Sequence, residues 1–159
     1  MTVKIVSGSR NSSPQLHRLS YNPATVKPFY GHRKNEDFTC DTQSAIESLQ
    51  LTNTERLYHH IPPLHESHDL SCRAMEHALW MAKHCSLHPS SELVMCLSQY
   101  SRRIGQNVSL GSSASDVHSE LMESAGDASR ILDSGFSSVG TGCARGPDGN
   151  LYTCQFFRG

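Results

Sequence analysis

The C-terminal stretch, residues 136–157, most constrains what this chain can fold into. Val139-Gly140-Thr141-Gly142-Cys143-Ala144 and Leu151-Tyr152-Thr153-Cys154-Gln155-Phe156-Phe157 are rich in β-branched and aromatic residues, and Arg145-Gly146-Pro147-Asp148-Gly149-Asn150 separates them. That is the composition of two strands and a turn. Pro147 pre-sets φ at the first central turn position, Asp148 can bond its own backbone, and Gly149 supplies positive φ, which suits a type I turn closed by a glycine bulge. This register sets Cys143 against Thr153 and sends the Cys143 and Cys154 thiols to opposite faces, so no disulfide is expected between them; a two-residue Asp148-Gly149 turn would instead bring them face to face. Gly140 and Gly142 weaken a strand interior, and their spacing predicts a helix or another backbone packed closely over it.

Upstream, helical periods dominate. Asp41 is the expected N-cap of a helix over about 42–59, with Ala45, Ile46, Leu49, Asn53, Arg56 and Leu57 at helical spacing and Pro62-Pro63 ending it. A second helix starting near Ser67 or Asp69 carries Leu70, Ala74, Ala78, Met81 and Cys85 on one apolar stripe, and Pro89 stops it. Trp80, Met81 and Cys85 read as core. Ser91 caps a shorter helix holding Leu93, Val94 and Leu97, and residues 102–110 alternate well enough for a third strand. After the turn Gly111-Ser112-Ser113, Ser115 caps a helix with Val117, Leu121 and Met122 inward, and residues 124–132 add a short helical turn. The sum is an α+β fold, an antiparallel sheet with helices on both sides. Residues 1–40 are rich in polar residues, with Pro14, Pro23 and Pro28 breaking any period; they read as an irregular arm whose Tyr21, Phe29, Tyr30 and Phe38 could dock on the domain.

At 159 residues the chain suits one domain. Its net charge of -1 provides no basic field for nucleic acid or an anionic membrane. Apolar runs such as Ala78-Leu79-Trp80-Met81-Ala82 fall short of the roughly 20 residues of a membrane span. The opening, Met1-Thr2-Val3-Lys4-Ile5-Val6, lacks the apolar centre of a secretory signal, which predicts either an internal protein or a leader already removed. The 6 cysteines show no Cys-x-x-Cys spacing, against a zinc knuckle or a thioredoxin-like pair. Sequons at Asn11 and Asn107 are too short to set the compartment.

Catalytic and metal patterns are incomplete. His77, His84 and His88 would share one face of an unbroken helix, but Pro89 points to its ending before His88. His59-His60 and His65-Glu66-Ser67-His68 flank the proline turn, and the latter is one residue short of the His-Glu-x-x-His motif of metalloproteases. Gly135-Phe136-Ser137-Ser138-Val139 does not close a nucleophile elbow. His84-Cys85 are adjacent in sequence only.

Asn53-Thr54-Glu55-Arg56, Ile61-Pro62-Pro63-Leu64, the Leu70 to Met81 stripe, Leu87-His88, Ile104-Gly105-Gln106-Asn107-Val108, Ser124-Ala125-Gly126-Asp127-Ala128-Ser129-Arg130-Ile131-Leu132, Val139-Gly140-Thr141-Gly142 and Gln155-Phe156-Phe157 follow one another in a characteristic order. The succession, over residues 41–159, resembles the CAP or SCP domain, the family of cysteine-rich secretory proteins, venom antigen five and plant pathogenesis-related proteins, in its compact bacterial or protist-like form. The resemblance implies a three-layer α-β-α sandwich, an extracellular setting, and a central cavity whose two histidines and one or two acids can hold a divalent metal. His88 matches the first histidine, Gln106 stands where the family has an acid, Asp127 stands where it has the second histidine, and the further acid of some members aligns near Ser124, beside Glu123. Asn53 and Arg56 take a structural role, Arg56 bonding backbone carbonyls or an acid.

The Gln106 amide removes charge that would hold a cation, so His88 and Asp127 are expected to make at best a weak zinc site, with Gln106 and Asp127 free to hydrogen-bond His88 instead. The expected function is non-enzymatic binding of a small apolar ligand, a sterol or fatty acid, or of a protein partner. The competing expectation is a metal-dependent hydrolase using His88 and Asp127, with Glu123 or Glu120 polarising a water.

Overall fold

In the hairpin, Gly140 and Gly142 are seats for a helix. A Cβ on Gly140 would stand 2.1 Å from the Leu70 carbonyl carbon, and one on Gly142 2.2 Å from the Met75 nitrogen, so the backbone of the second helix lies directly on the strand. The computed structural model describes residues 38–159. In chain order these form β1 (Thr39–Cys40), α1 (Thr42–Tyr58), β2 (His65–Glu66), α2 (His68–His84), α3 (Ser91–Ser98), β3 (Ile104–Gly111), α4 (Ala114–Glu123), α5 (Ala125–Ile131), β4 (Ser138–Arg145) and β5 (Leu151–Arg158).

The sheet runs β1-β4-β5-β3, and β2 adds a short parallel pairing to β4 beside otherwise antiparallel neighbours. Cys143 pairs with Thr153, the register expected of a turn in which Gly149 takes φ +81. Alternation then sorts the strands' side chains. Ala144, Tyr152, Cys154 and Phe156 face α2 and α3, packing on Leu70, Ala74, Ala78, Met81 and Leu97. Val139, Cys143, Leu151 and Phe157 face α1, α4 and α5, packing on Ala45, Val117, Leu121 and Ile131. Helices thus cover both faces of one sheet, an α-β-α sandwich. Cys143 and Cys154 lie on opposite sides, and all six thiols are free.

Several local expectations need correction. Cys85 is exposed rather than core, because α2 stops at His84 and Cys85 turns into the left-handed region at φ 44, which swings it off the stripe. Trp80 is 45% exposed, since it lies one position off the Ala74, Ala78, Met81 face. On α1, Ile46 and Leu57 point outward, while Ser44, Ala45, Ser48, Thr52 and Arg56 are the buried face. The caps of α3 and α4 are Ser90 and Ser113, whose hydroxyls accept from the Leu93 and Asp116 amides; Ser91 and Ser115 already lie inside their helices. Asp41 caps α1 as expected. The sheet also takes in Thr39 and Cys40, which pair with Arg145 and Ala144 and so belong to the domain rather than to an irregular arm. Phe38 packs beside the α2 core, whereas Tyr21, Phe29, Tyr30 and the rest of the arm lie outside the described residues.

Candidate functional site

β3 is the outer strand of the sheet path, and its open side floors a depression of about 690 Å3. Ile104, Gln106 and Val108 line it from the strand, His88, Ser91 and Val94 from α3 and the loop before it, and Asp127 and Arg130 from α5. Strand alternation explains how one hollow draws on both layers. Gln106 pairs with Phe156 and leans toward the α2 side, whereas Asn107 pairs with Gln155 and leans toward α5.

His88, Gln106 and Asp127 therefore line the same depression but are engaged elsewhere. The Gln106 Oε1 accepts from the Ser90 amide at 2.9 Å, and its Nε2 donates to the Cys154 sulfur at 3.5 Å. The Asp127 carboxylate receives the Arg130 Nη1 at 2.8 Å. The His88 carbonyl accepts from His77 Nε2 at 2.6 Å, while its ring meets Trp80 edge-on at 6.0 Å. Burial holds the His77 imidazole below its ordinary value, with that hydrogen bond pulling the other way. The expected bonds from Gln106 and Asp127 to the His88 side chain are absent among the described residues: the Gln106 amide is bonded to Ser90 and Cys154, and the Asp127 carboxylate to Arg130. Glu123 and Glu120 are exposed on α4, and neither lines the depression.

Arg130, which no motif in the sequence singles out, also lines the depression. Its aliphatic stem lies over Gly105, where an added Cβ would come within 3.3 Å of it, and its Nη1 also donates to Asn107 Oδ1 at 3.2 Å. Asn107 is itself held: its Nδ2 donates to the Asp127 carbonyl at 3.2 Å and approaches Gln155 Oε1 at 3.5 Å. Gln155, fully buried, donates onward to Thr52 at 3.0 Å and Ser48 at 3.4 Å. A chain of side-chain hydrogen bonds thus runs from inside α1 to the guanidinium at the depression. The available signal was Asp127 and Arg130 at helical i, i+3 spacing.

Asn53 and Arg56 sit apart from the hollow. Asn53 both donates to the Leu64 carbonyl and accepts the Leu64 amide. Arg56 donates to the carbonyls of Pro62, Ile131, Asp133 and Phe136, at 2.8, 2.9, 2.9 and 3.2 Å. Burial lowers its pKa, and the nearby Asp133 charge opposes that.

The residues of the depression do not match a divalent ion. Gln106 is neutral and already accepting, Asp127 is paired with a cation, and among the described residues no three His, Cys, Asp or Glu side chains gather as a metal-holding group.

A sheet covered on both faces by helices, with a hollow at its outer strand, defines an α-β-α sandwich. The model of the cysteine-rich secretory protein family, CAP, matches residues 49–156, and the chain belongs to that family. Among solved structures, it resembles a cysteine-rich secretory protein of Staphylococcus aureus with a TM-score of 0.62 and 19% identity, covering 75% of this chain and 40% of that one. An extracellular SCP-domain protein of Bacillus anthracis gives 0.62 and 20%, covering 75% and 41%. An outer surface protein of Borrelia burgdorferi gives 0.65 and 12%, covering 74% and 94%. The chain thus spans about two fifths of the first two relatives, 40% and 41% of their lengths. No curated protein matches. No helix among the described residues is long and apolar enough to cross a membrane.

Proposed function

We propose that this CAP domain works by binding rather than catalysis, holding a small apolar ligand of the sterol or fatty-acid type in the depression along β3. One observation carries the reading: the Asp127 carboxylate is paired with Arg130 and the Gln106 amide with Ser90 and Cys154, so the hollow's acid and amide are engaged and Ile104, Val94 and Val108 stand as receptive apolar surface beside them. An open hollow of about 690 Å3 is within the size range of small-ligand sites. The same pairing weighs against a hydrolase that relies on His88 and Asp127, because Asp127 would have to leave a salt bridge to ligate a metal. A protein partner at the same edge is the remaining way to bind. An extracellular setting is part of this reading, supported by relatives described as secretory or extracellular.

The test is titration of the purified chain with palmitate and with cholesterol. Saturable, stoichiometric binding of either is expected. Absence of saturable binding to both would end the apolar-ligand reading.

A further inference from the structure

The binding reading leaves open how a ligand would be oriented in the depression, and Arg130 supplies an answer. A guanidinium carries five N–H donors in a planar fork. At Arg130 both recorded bonds, to Asp127 Oδ1 and Asn107 Oδ1, leave from Nη1. The Nε and Nη2 hydrogens have no hydrogen-bond partner among the described residues, and the side chain is 41% exposed. These two nitrogens form the side-on edge of the fork, whose spacing matches the two oxygens of a carboxylate. The group is also held in place before any ligand arrives: Gly105 leaves room for its stem, and the Ser48, Thr52, Gln155, Asn107 chain fixes its Nη1 end. Preorganisation of this kind reduces the ordering cost of binding.

Asp127 is the one acid lining the depression, and Arg130 neutralises it. Ile104, Val94 and Val108 lie in the same hollow and suit an alkyl body. We infer that the depression selects amphipathic monocarboxylates, receiving the carboxylate on the Nε/Nη2 edge of Arg130 and the apolar body along β3. This rests on the binding reading above and sharpens it: an acid is taken in preference to its neutral counterparts of the same chain length.

The experiment measures dissociation constants of the full chain for palmitate, methyl palmitate and cetyl alcohol by calorimetry, in wild type, Arg130→Gln and Asp127→Asn, with thermal unfolding curves confirming that each variant folds. Palmitate is expected to bind wild type about tenfold or more tighter than the ester and the alcohol, the size of a charge-assisted bidentate contact. Arg130→Gln should erase that preference while leaving the ester's affinity in place. Asp127→Asn should tighten palmitate binding, since it removes the carboxylate that already competes for the guanidinium. Equal affinity for acid and ester in wild type, or a preference that survives in Arg130→Gln, overturns the inference while the binding reading stands. Binding of none of the three probes overturns it together with the fatty-acid form of that reading.

Discussion

Two arginines divide the labour of this domain. Arg56 is 1% exposed and donates from three nitrogens to four backbone carbonyls, drawing together the loop after α1 and the segment between α5 and β4. Arg130 keeps 41% of its side chain in solvent and gives only Nη1 to its neighbours. The same guanidinium is a rivet where its donors are exhausted and a receptor where they are held in reserve. The difference comes from backbone supply. Around Arg56 the chain turns repeatedly and exposes carbonyls that no helix or strand uses, whereas around Arg130 the edge of β3 and the short α5 offer just two side-chain acceptors.

Replacing Arg56 should test this most severely. Arg56→Met preserves much of the apolar stem but strips four carbonyls of their donor, and urea unfolding should show a loss of about 3–5 kcal/mol. A loss under about 1 kcal/mol would mean that water serves those carbonyls as well as the guanidinium does.

A smaller effect should come from Asp133, which lies beside the rivet. Its carboxylate accepts the Gly135 amide and pairs with Arg103, and Arg56 is close; the amide bond is the largest influence holding the carboxyl below its ordinary value, with desolvation opposing. A depressed folded-state value stabilises above the unfolded value and is lost as pH falls through the folded one, so the contribution is present at neutral pH and fades below about pH 4. Asp133→Asn should therefore cost on the order of 1 kcal/mol at neutral pH, and the gap to wild type should narrow on acidification when unfolding is followed by circular dichroism. A gap that widens in acid would contradict the sign.

The smallest expected change in stability belongs to Arg130. Arg130→Gln should alter the unfolding free energy by less than about 1 kcal/mol, the range of exposed ion pairs. A loss comparable to that of Arg56→Met would make both residues rivets and erase the contrast.

The legible parts of this fold were those written in a local period or a local turn. Leu70, Ala74, Ala78 and Met81 repeat at helical spacing and are fully buried, and Pro147-Asp148-Gly149 announces the hairpin register that places Cys143 opposite Thr153. Cys85 shows the limit of the same reasoning: it keeps the spacing of the stripe but stands one residue past the end of the helix, where the backbone has already turned away. The inward face of α1 was hidden because Ser48 and Thr52 are inside only by virtue of Gln155, whose amide reaches them from more than a hundred positions along the chain. Two-residue strands such as β1 and β2 are too short to show alternation. At the depression, His88, Gln106 and Asp127 could be named from their surroundings in the sequence, but Arg130 emerged only when folding set it beside Asn107.

The placement of Cys143 and Cys154 has a further consequence. Burial pushes each thiol up to about 12, and the sheet itself stands between them. A reductant therefore finds no crosslink to cut here, and an oxidant finds two sulfurs that cannot reach each other without first unpicking the hairpin. The strands owe their cohesion to the ladder between them and to packing rather than to a covalent link, so this pair of sulfurs leaves the hairpin indifferent to the redox poise of its surroundings.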